Sequence, residues 1–359
     1  MASGELLSPS VMGILGEWGL EDKVRQAGQP LERFIICKEN GEEYGSCSLL
    51  DPSPGFVGIS HYALLAILQH SVSFVQRGVS VSSVKGQPSG QLEVGTTGLG
   101  PREKVDVLVG ADGVASKVRQ LVDASRGSGG EMKASFCNMG TVEAIVQRPP
   151  SWEGRNDVVE MWGNGKRLSL MPVSRTHLWI SGSFHLPNPV QLGAGPLQIG
   201  MIFKRAFQDM EGHGVREAIN SLDILKKVQA TNTSCPAMLK LDSWVLSPNS
   251  VLIGDAAHAA KPLFWQAPGA GLAIEDAHVL SQVLADPNLT RQGPEQALRE
   301  FESRRRSRVD YLTGQADTLG TSIHQPVTGV RSKMRGWTNK WAASNKAVQT
   351  RLSRVASLD

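Results

Sequence analysis

The chain has 359 residues, 40% hydrophobic and 20% charged, which is enough apolar material for one large core or two interleaved ones. A formal net charge of +3 is too small to make nucleic acid or an acidic polymer the main partner. Cys37, Cys47, Cys137 and Cys235 lie far apart, without a C-x-x-C pair or a histidine at metal-ligand spacing, so neither a disulfide framework nor a zinc site is indicated.

The opening MASGELLSPS lacks the charged-then-apolar layout of a secretion signal, and no apolar run approaches bilayer length. A cytoplasmic protein is the expectation. From Pro9 to Gly28 the apolar residues Val11, Ile14, Leu15, Trp18 and Val24 follow one helical face, which predicts a helix, a turn at Gly19 and a short helix ending at Gly28. Arg33 to Leu50 changes to β-branched and aromatic residues around Asn40-Gly41, the signature of a tight hairpin. His61 to Ser71 reads as a short helix, and Val79 to Val94 as strands parted by turns.

Val105 to Val109 reads as a continuous buried strand running into Gly110. Beyond the loop Asp123 to Gly130, strand-like segments continue to about His185 and predict a mostly antiparallel second layer. Helical patterns follow around Leu197 to Met210 and Val215 to Val228, then a strand at Ser250 to Ile253.

Two segments carry chemistry. In VDVLVGADGVASKVRQ an apolar strand stops at Gly110-Ala111-Asp112-Gly113 and restarts as a helix, a place where backbone N–H groups meet a phosphate. Small residues let a ligand approach the backbone, and Asp112 can cap that turn or hold it. In SVLIGDAAHAAKPLFWQAPGAGLAIEDAHVL a strand stops at Gly254-Asp255, and a longer loop ends at Gly269-Ala270-Gly271, the bare N-terminus of a helix. A carboxylate at a strand end accepts hydrogen bonds from ligand hydroxyls, and a free helix N-terminus favours negative charge. A polyol-linked cofactor that becomes anionic on reduction needs both.

The pair GADGVASKVR and GDAAH…P…GAGLAIEDA resembles the two downstream fingerprints of the FAD-dependent aromatic hydroxylases, the group that includes salicylate hydroxylase and para-hydroxybenzoate hydroxylase. The resemblance runs from about Leu6 to Arg306, with both fingerprints in order and correctly spaced. It implies that Asp255, following Gly254, hydrogen-bonds the ribityl chain of FAD and that Gly269, Ala270 and Gly271 lie against the isoalloxazine ring. It further implies that Asp112 and Gly113 hold the pyrophosphate and take part in handling NAD(P)H. The implied reaction is reduction of the flavin by NAD(P)H, capture of oxygen on it, and transfer of a hydroxyl group to an electron-rich ring, in secondary metabolism or aromatic catabolism.

The sequence departs from that pattern. It holds no G-x-G-x-x-G and no following acidic residue for the adenosine ribose, so the expected fold is mixed α/β (α+β): an incomplete doubly wound FAD-binding domain interleaved with a mostly antiparallel substrate-binding sheet, plus a helical C-terminal tail. The expected divisions are 1–30, 56–128 and 241–320 for FAD, 31–55 and 129–240 for substrate, and 321–359 for the tail. A chain that starts at an internal methionine of a longer protein is one explanation. A pseudoenzyme, or a non-redox binding or cyclising relative, is the alternative function.

His61 stands where the resemblance places an arginine, either as a flavin contact or as a helix-start residue, and Met171-Pro172-Val173 replaces a tyrosine-led Pro-Val. Phe264 and Trp265 either narrow the substrate chamber or pack, and His258 is read as loop support. The basic tail, with Met334, Trp337, Trp341, Ala342 and Val348, forms either a membrane-surface helix or a solvated one. The expected partner is a small aromatic molecule; oligomeric state is not legible.

Overall fold

The computed structural model describes residues 3–51, 53–87, 90–97, 102–125, 133–190, 195–223, 225–263, 269–291, 293–328 and 339–357. Its largest element is a seven-stranded sheet in the order Val228–Ser234, Met139–Gln147, His177–His185, Lys166–Pro172, Asp157–Gly163, Arg33–Lys38, Glu43–Ser48. Neighbours are antiparallel except for Asp157–Gly163 beside Arg33–Lys38, which run parallel. The hairpin around Asn40-Gly41 forms as expected, with Gly41 at φ +81°.

The strand period of two sorts this sheet's side chains. Val142, Ala144, Val146, Leu168, Leu170, Leu178 and Ile180 share one face and pack under Ile199, Phe203 and Phe207 of the helix Pro196–Phe207 and Ala218 and Ile219 of the helix Val215–Asn220. Burying each large apolar side chain here stabilises by about 1.5–3 kcal/mol. The intervening positions Thr141, Glu143, Arg167, Ser169, Ser181 and Ser183 are polar and face the other way. That polar face is the first sign that the sheet does more than close a core.

Against it stands the second layer. The helices Pro9–Glu17 and Glu21–Ala27 form as predicted, parted by Gly19 at φ +69°. They follow a strand, Gly4–Leu7, which pairs antiparallel with Val57–Ser60 and escapes the sequence reading because GELL carries no alternation. The helix His61–His70 follows directly, its N-terminus capped by the Ser60 hydroxyl accepting from the Ala63 amide at 3.2 Å. The helices Gly269–Ala285 and Glu295–His324 pack together, and Leu298, Phe301, Val309, Leu312 and Ile323 of the longer one enter the main core.

One expected element is corrected. Val105 to Val109 is not one continuous buried strand: Glu103–Val105 belongs to a three-stranded meander with Val81–Gly86 and Leu92–Thr96, and Leu108–Gly110 pairs parallel with Ser250–Leu252. The chain turns between them at Asp106, whose carbonyl accepts from Asn249 Nδ2 at 2.6 Å. Val107, Leu108 and Val109 are half-buried, because among the described residues Leu108–Gly110 has a strand neighbour on one side only. The doubly wound parallel sheet is reduced there to this one parallel pair.

The tail lies on the body. In the helix Asn345–Ala356, Val348, Leu352 and Val355 are buried, Asn345 Oδ1 accepts from the Ser46 amide at 2.9 Å, and Arg308 donates to the Arg354 carbonyl at 2.6 Å. Its apolar face is thus spent on the protein, against both the membrane-surface and the solvated readings, although Trp341 stays exposed. Met334 and Trp337 lie outside the described residues. No helix among the described residues is long and apolar enough to cross a membrane.

Candidate active site

Parallel pairing in register brings the two motif turns together. Leu252 lies opposite Gly110, and the Ile253 amide donates to the Gly110 carbonyl at 3.0 Å, so both strands end at the same edge and their turns leave side by side. At the first turn Asp112 caps: its carboxylate accepts from Ser116 Oγ at 2.5 Å and from the Lys117 and Val118 amides at 2.7 and 3.1 Å. Gly113 follows at φ +78° with open space where a Cβ would point. Of the two roles left open for Asp112, the geometry displays capping.

At the second turn Gly254 has φ +56° and ψ −144°, a conformation essentially reserved for glycine. Its amide donates to Asp276 Oδ2 at 2.9 Å, and the same oxygen accepts from His258 Nε2 at 2.6 Å. Arg305 Nε donates to Asp276 Oδ1 at 2.9 Å and its Nη2 pairs with Glu275 at 2.8 Å; Arg308 and Ser10 complete the shell around Glu275. Burial pushes the Asp276 carboxyl up, but the hydrogen bond and charge of His258, the charge of Arg305 and the Gly254 amide outweigh it and hold the carboxyl below its ordinary range. His258 thus supports the loop, packed on Trp244 with ring centroids 4.9 Å apart.

Asp255, next in the chain, points into open space ringed by protein. Burial raises its pKa, partly opposed by the charge of His258, and among the described residues its carboxylate has no hydrogen-bond partner. Gly269 begins the facing helix, and a Cβ there would stand 3.7 Å from Asp255 Oδ1. A helix N-terminus and an unengaged carboxylate therefore confront each other at the cavity wall.

These features line one cavity of about 820 Å³, within the range of roughly 300–1,000 Å³ typical of small-molecule sites. Ala111 and Gly113 enter from the first turn, Gly254 and Asp255 from the second, and Gly269 and Ala270 from the helix end. Gly271 is buried beneath them, and Asp112 is exposed outside. His61 also lines the cavity: its Nδ1 donates to Glu5 Oε1 at 2.9 Å, and that hydrogen bond raises its pKa against the opposing effect of burial. Phe264 and Trp265 lie outside the described residues.

The opposite wall is the polar face of the large sheet, with Thr141, Glu143, Arg167, Trp179, Ser181 and Ser234. Arg167 is buried beside Glu160 at 3.6 Å and donates to the Pro262 carbonyl at 2.9 Å, tying the sheet to the loop after the second turn. Lys261, at the rim, pairs with Asp317 at 2.7 Å. Glu5, Glu143, Arg167 and Asp276 stand outside both sequence motifs' expected contacts. A glutamate inside the strand pattern of TVEAIV and the EDA after the glycine turn were the available signals.

A strand-end carboxylate, a glycine-lined helix N-terminus and a polar chamber opposite are features that suit a flavin. A family model described as FAD binding domain matches residues 247–316, the segment holding the second turn and both long helices. The chain is 27% identical over 346 residues to 3-amino-4-hydroxybenzoate 2-monooxygenase of Streptomyces cremeus, covering 91% of this chain and 79% of that one. It is 25% identical to 2-heptyl-3-hydroxy-4(1H)-quinolone synthase of Pseudomonas aeruginosa, over 83% and 74% of the two chains. Among solved structures, Klebsiella pneumoniae HpxO complexed with FAD and uric acid shares the fold at TM-score 0.80 and 23% identity, over 99% and 88% of the chains. P. aeruginosa PqsL in complex with 2-aminobenzoylacetate follows at TM-score 0.73 and 19% identity, over 94% and 89%. The comparisons thus show similarity to FAD-dependent aromatic hydroxylases and monooxygenases.

Proposed function

We propose that the protein hydroxylates a small aromatic or polyketide-like molecule, using FAD, NAD(P)H and oxygen, in secondary metabolism or aromatic catabolism. The observation that carries this reading is the shared cavity, where both motif turns face a polar sheet floor. The donor set suits a flavin: Asp255 has an acceptor to spare for ribityl hydroxyls, and the Gly269–Ala270 helix end offers positive potential for a ring that gains negative charge. In this reading Gly254, Asp255, Gly269, Ala270 and Gly271 hold the flavin end, Asp112 shapes and Gly113 opens the pyrophosphate turn, and His61 borders the ring from the side of Glu5.

Bound FAD supplies the redox and oxygen chemistry. The chain's own residues do the rest. Asp276, Arg305 and Glu275 keep the Gly254 turn rigid, Arg167 holds the loop over the chamber, and the sheet floor orients the ring by its hydroxyls and carboxylate. Residues 1–30, 56–128 and 241–320 form the FAD side, 31–55 and 129–240 the substrate side, and 321–359 the tail.

Purified protein titrated with FAD, then assayed for NADH and NADPH oxidation and oxygen uptake over a panel of phenols, tests the proposal. Stoichiometric FAD with ring-dependent nicotinamide oxidation is expected. A second reading is favoured by one observation: among the described residues Leu108–Gly110 has a single strand neighbour, so the parallel sheet beside the cavity is one pair wide. Protein that binds aromatic ligands but neither retains FAD nor oxidises nicotinamide would instead be a non-redox binding or cyclising relative.

A further inference from the structure

Glu143 sits mid-strand in Met139–Gln147, opposite Ser181 on one neighbour and Asn232 on the other. Its strand neighbours Val142 and Ala144 point into the apolar core, so Glu143 alone brings a carboxyl to the middle of the chamber floor. Asn232 Nδ2 donates to it at 3.3 Å, a long contact, and the Trp179 indole donates toward it. Glu5 on Gly4–Leu7, with His61 behind it, faces Glu143 from above; Arg167 on Lys166–Pro172 faces it across the sheet; Lys261 stands at the rim. A half-buried carboxyl at the floor of a cavity, held by so few donors, has room for a bound molecule to complete its shell.

Resting on the reading of this cavity as the substrate chamber, we propose that Glu143 exchanges a proton with an acidic O–H or N–H of the bound ring. The ring's O–H or N–H bond breaks, its electron pair stays on the ring heteroatom, and the proton bonds to a Glu143 carboxylate oxygen. The resulting ring anion is the more electron-rich partner for oxygen transfer, and the reverse step returns the proton to the product. No oxidant is consumed in this step. Burial pushes the Glu143 carboxyl up to about 7; the Asn232 hydrogen bond pulls it down, Glu5 pushes it up, and Arg167 and Trp179 pull it down. A group poised near neutrality is suited to such exchange. The substrate class is therefore a ring with a weakly acidic hydroxyl or ring N–H.

The test uses protein saturated with oxidised FAD, without nicotinamide, and two probes: 4-nitrophenol, which ionises near neutrality, and 4-nitroanisole, the same ring without the O–H. Calorimetry at pH 8.5 in buffers of different ionisation enthalpy counts protons. Free Glu143 and free nitrophenol are both ionised there, so a complex sharing one proton takes up about one proton on binding. The parent protein is expected to show that uptake and Glu143→Gln to lose it, and binding of 4-nitroanisole, which has no proton to share, reports whether the chamber is intact in each. Equal uptake in both, or none in the parent, overturns the role of Glu143 alone. If the parent binds neither probe, the chamber reading beneath it fails. Should Glu143→Gln lose 4-nitroanisole binding, Glu143→Asp decides: retained uptake supports the proposal and lost uptake overturns it.

Discussion

The Arg119 guanidinium donates through Nη1 to the Ala256 carbonyl at 2.7 Å, reaching from the helix after the first turn into the heart of the second. Through Nη2 it also donates to Val114 at 2.6 Å, so one buried side chain clasps both turns that border the cavity. Arg119→Ala is expected to cost about 2–4 kcal/mol, since two carbonyls lose a charged donor in a buried site. FAD affinity should fall with it by tenfold or more. Urea unfolding and flavin fluorescence titration measure the two; unchanged values in both would show that the clasp is not what sets the turns.

Asp255→Asn should separate stability from binding. Burial raises the Asp255 pKa, so the folded state binds extra proton and loses stability as pH rises from the ordinary carboxylate value toward the raised one. Removing the charge should therefore raise the melting temperature of the FAD-free protein at pH 7 while weakening FAD by about tenfold. A variant that loses stability would count against a carboxylate kept for its ligand.

Asp276 behaves oppositely. Its pKa is depressed in the fold, so its contribution is present above the ordinary carboxylate pKa and is lost as pH falls through the depressed value. Asp276→Ala leaves Arg305 with Glu275 as its one remaining carboxylate and takes the acceptor from His258 and the Gly254 amide, and should cost about 3–5 kcal/mol at pH 7. The deficit relative to the parent should narrow under acid, as read by denaturant unfolding between pH 3 and 7.

Glu143→Gln should stabilise the FAD-free protein at pH 8 by about 1–3 kcal/mol and by much less at pH 5. The sign follows from a folded pKa raised to about 7: the parent loses stability as pH rises from the ordinary carboxylate value through 7, and glutamine does not. Melting temperatures of the two proteins at both pH values check it, and parallel pH profiles would refute it.

Much of the site was readable in advance because its parts are local. Strand, glycine turn and helix start follow one another closely in the chain, with a longer loop only before Gly269, and backbone geometry dictates which residue types such turns tolerate, so Gly113, Gly254, Asp255 and Gly269 could be picked out singly. The hairpin at Gly41 and the paired helices around Gly19 were legible for the same reason. Leu108–Gly110 was misjudged, because burial depends on what flanks a strand, and an apolar run says nothing of its neighbours.

The resemblance to flavin-dependent hydroxylases, the two turns and the residue types that stand in them are legible along the chain, since each turn depends on contacts a few residues apart. That Glu143, Arg167 and Trp179 face those turns, that Arg119 joins them and that Asp276 engages His258 emerges with the folded arrangement. These pairings span from 18 residues, between His258 and Asp276, to 137, between Arg119 and Ala256. Over such separations it is sheet register and helix packing, not local spacing, that bring side chains within hydrogen-bond reach.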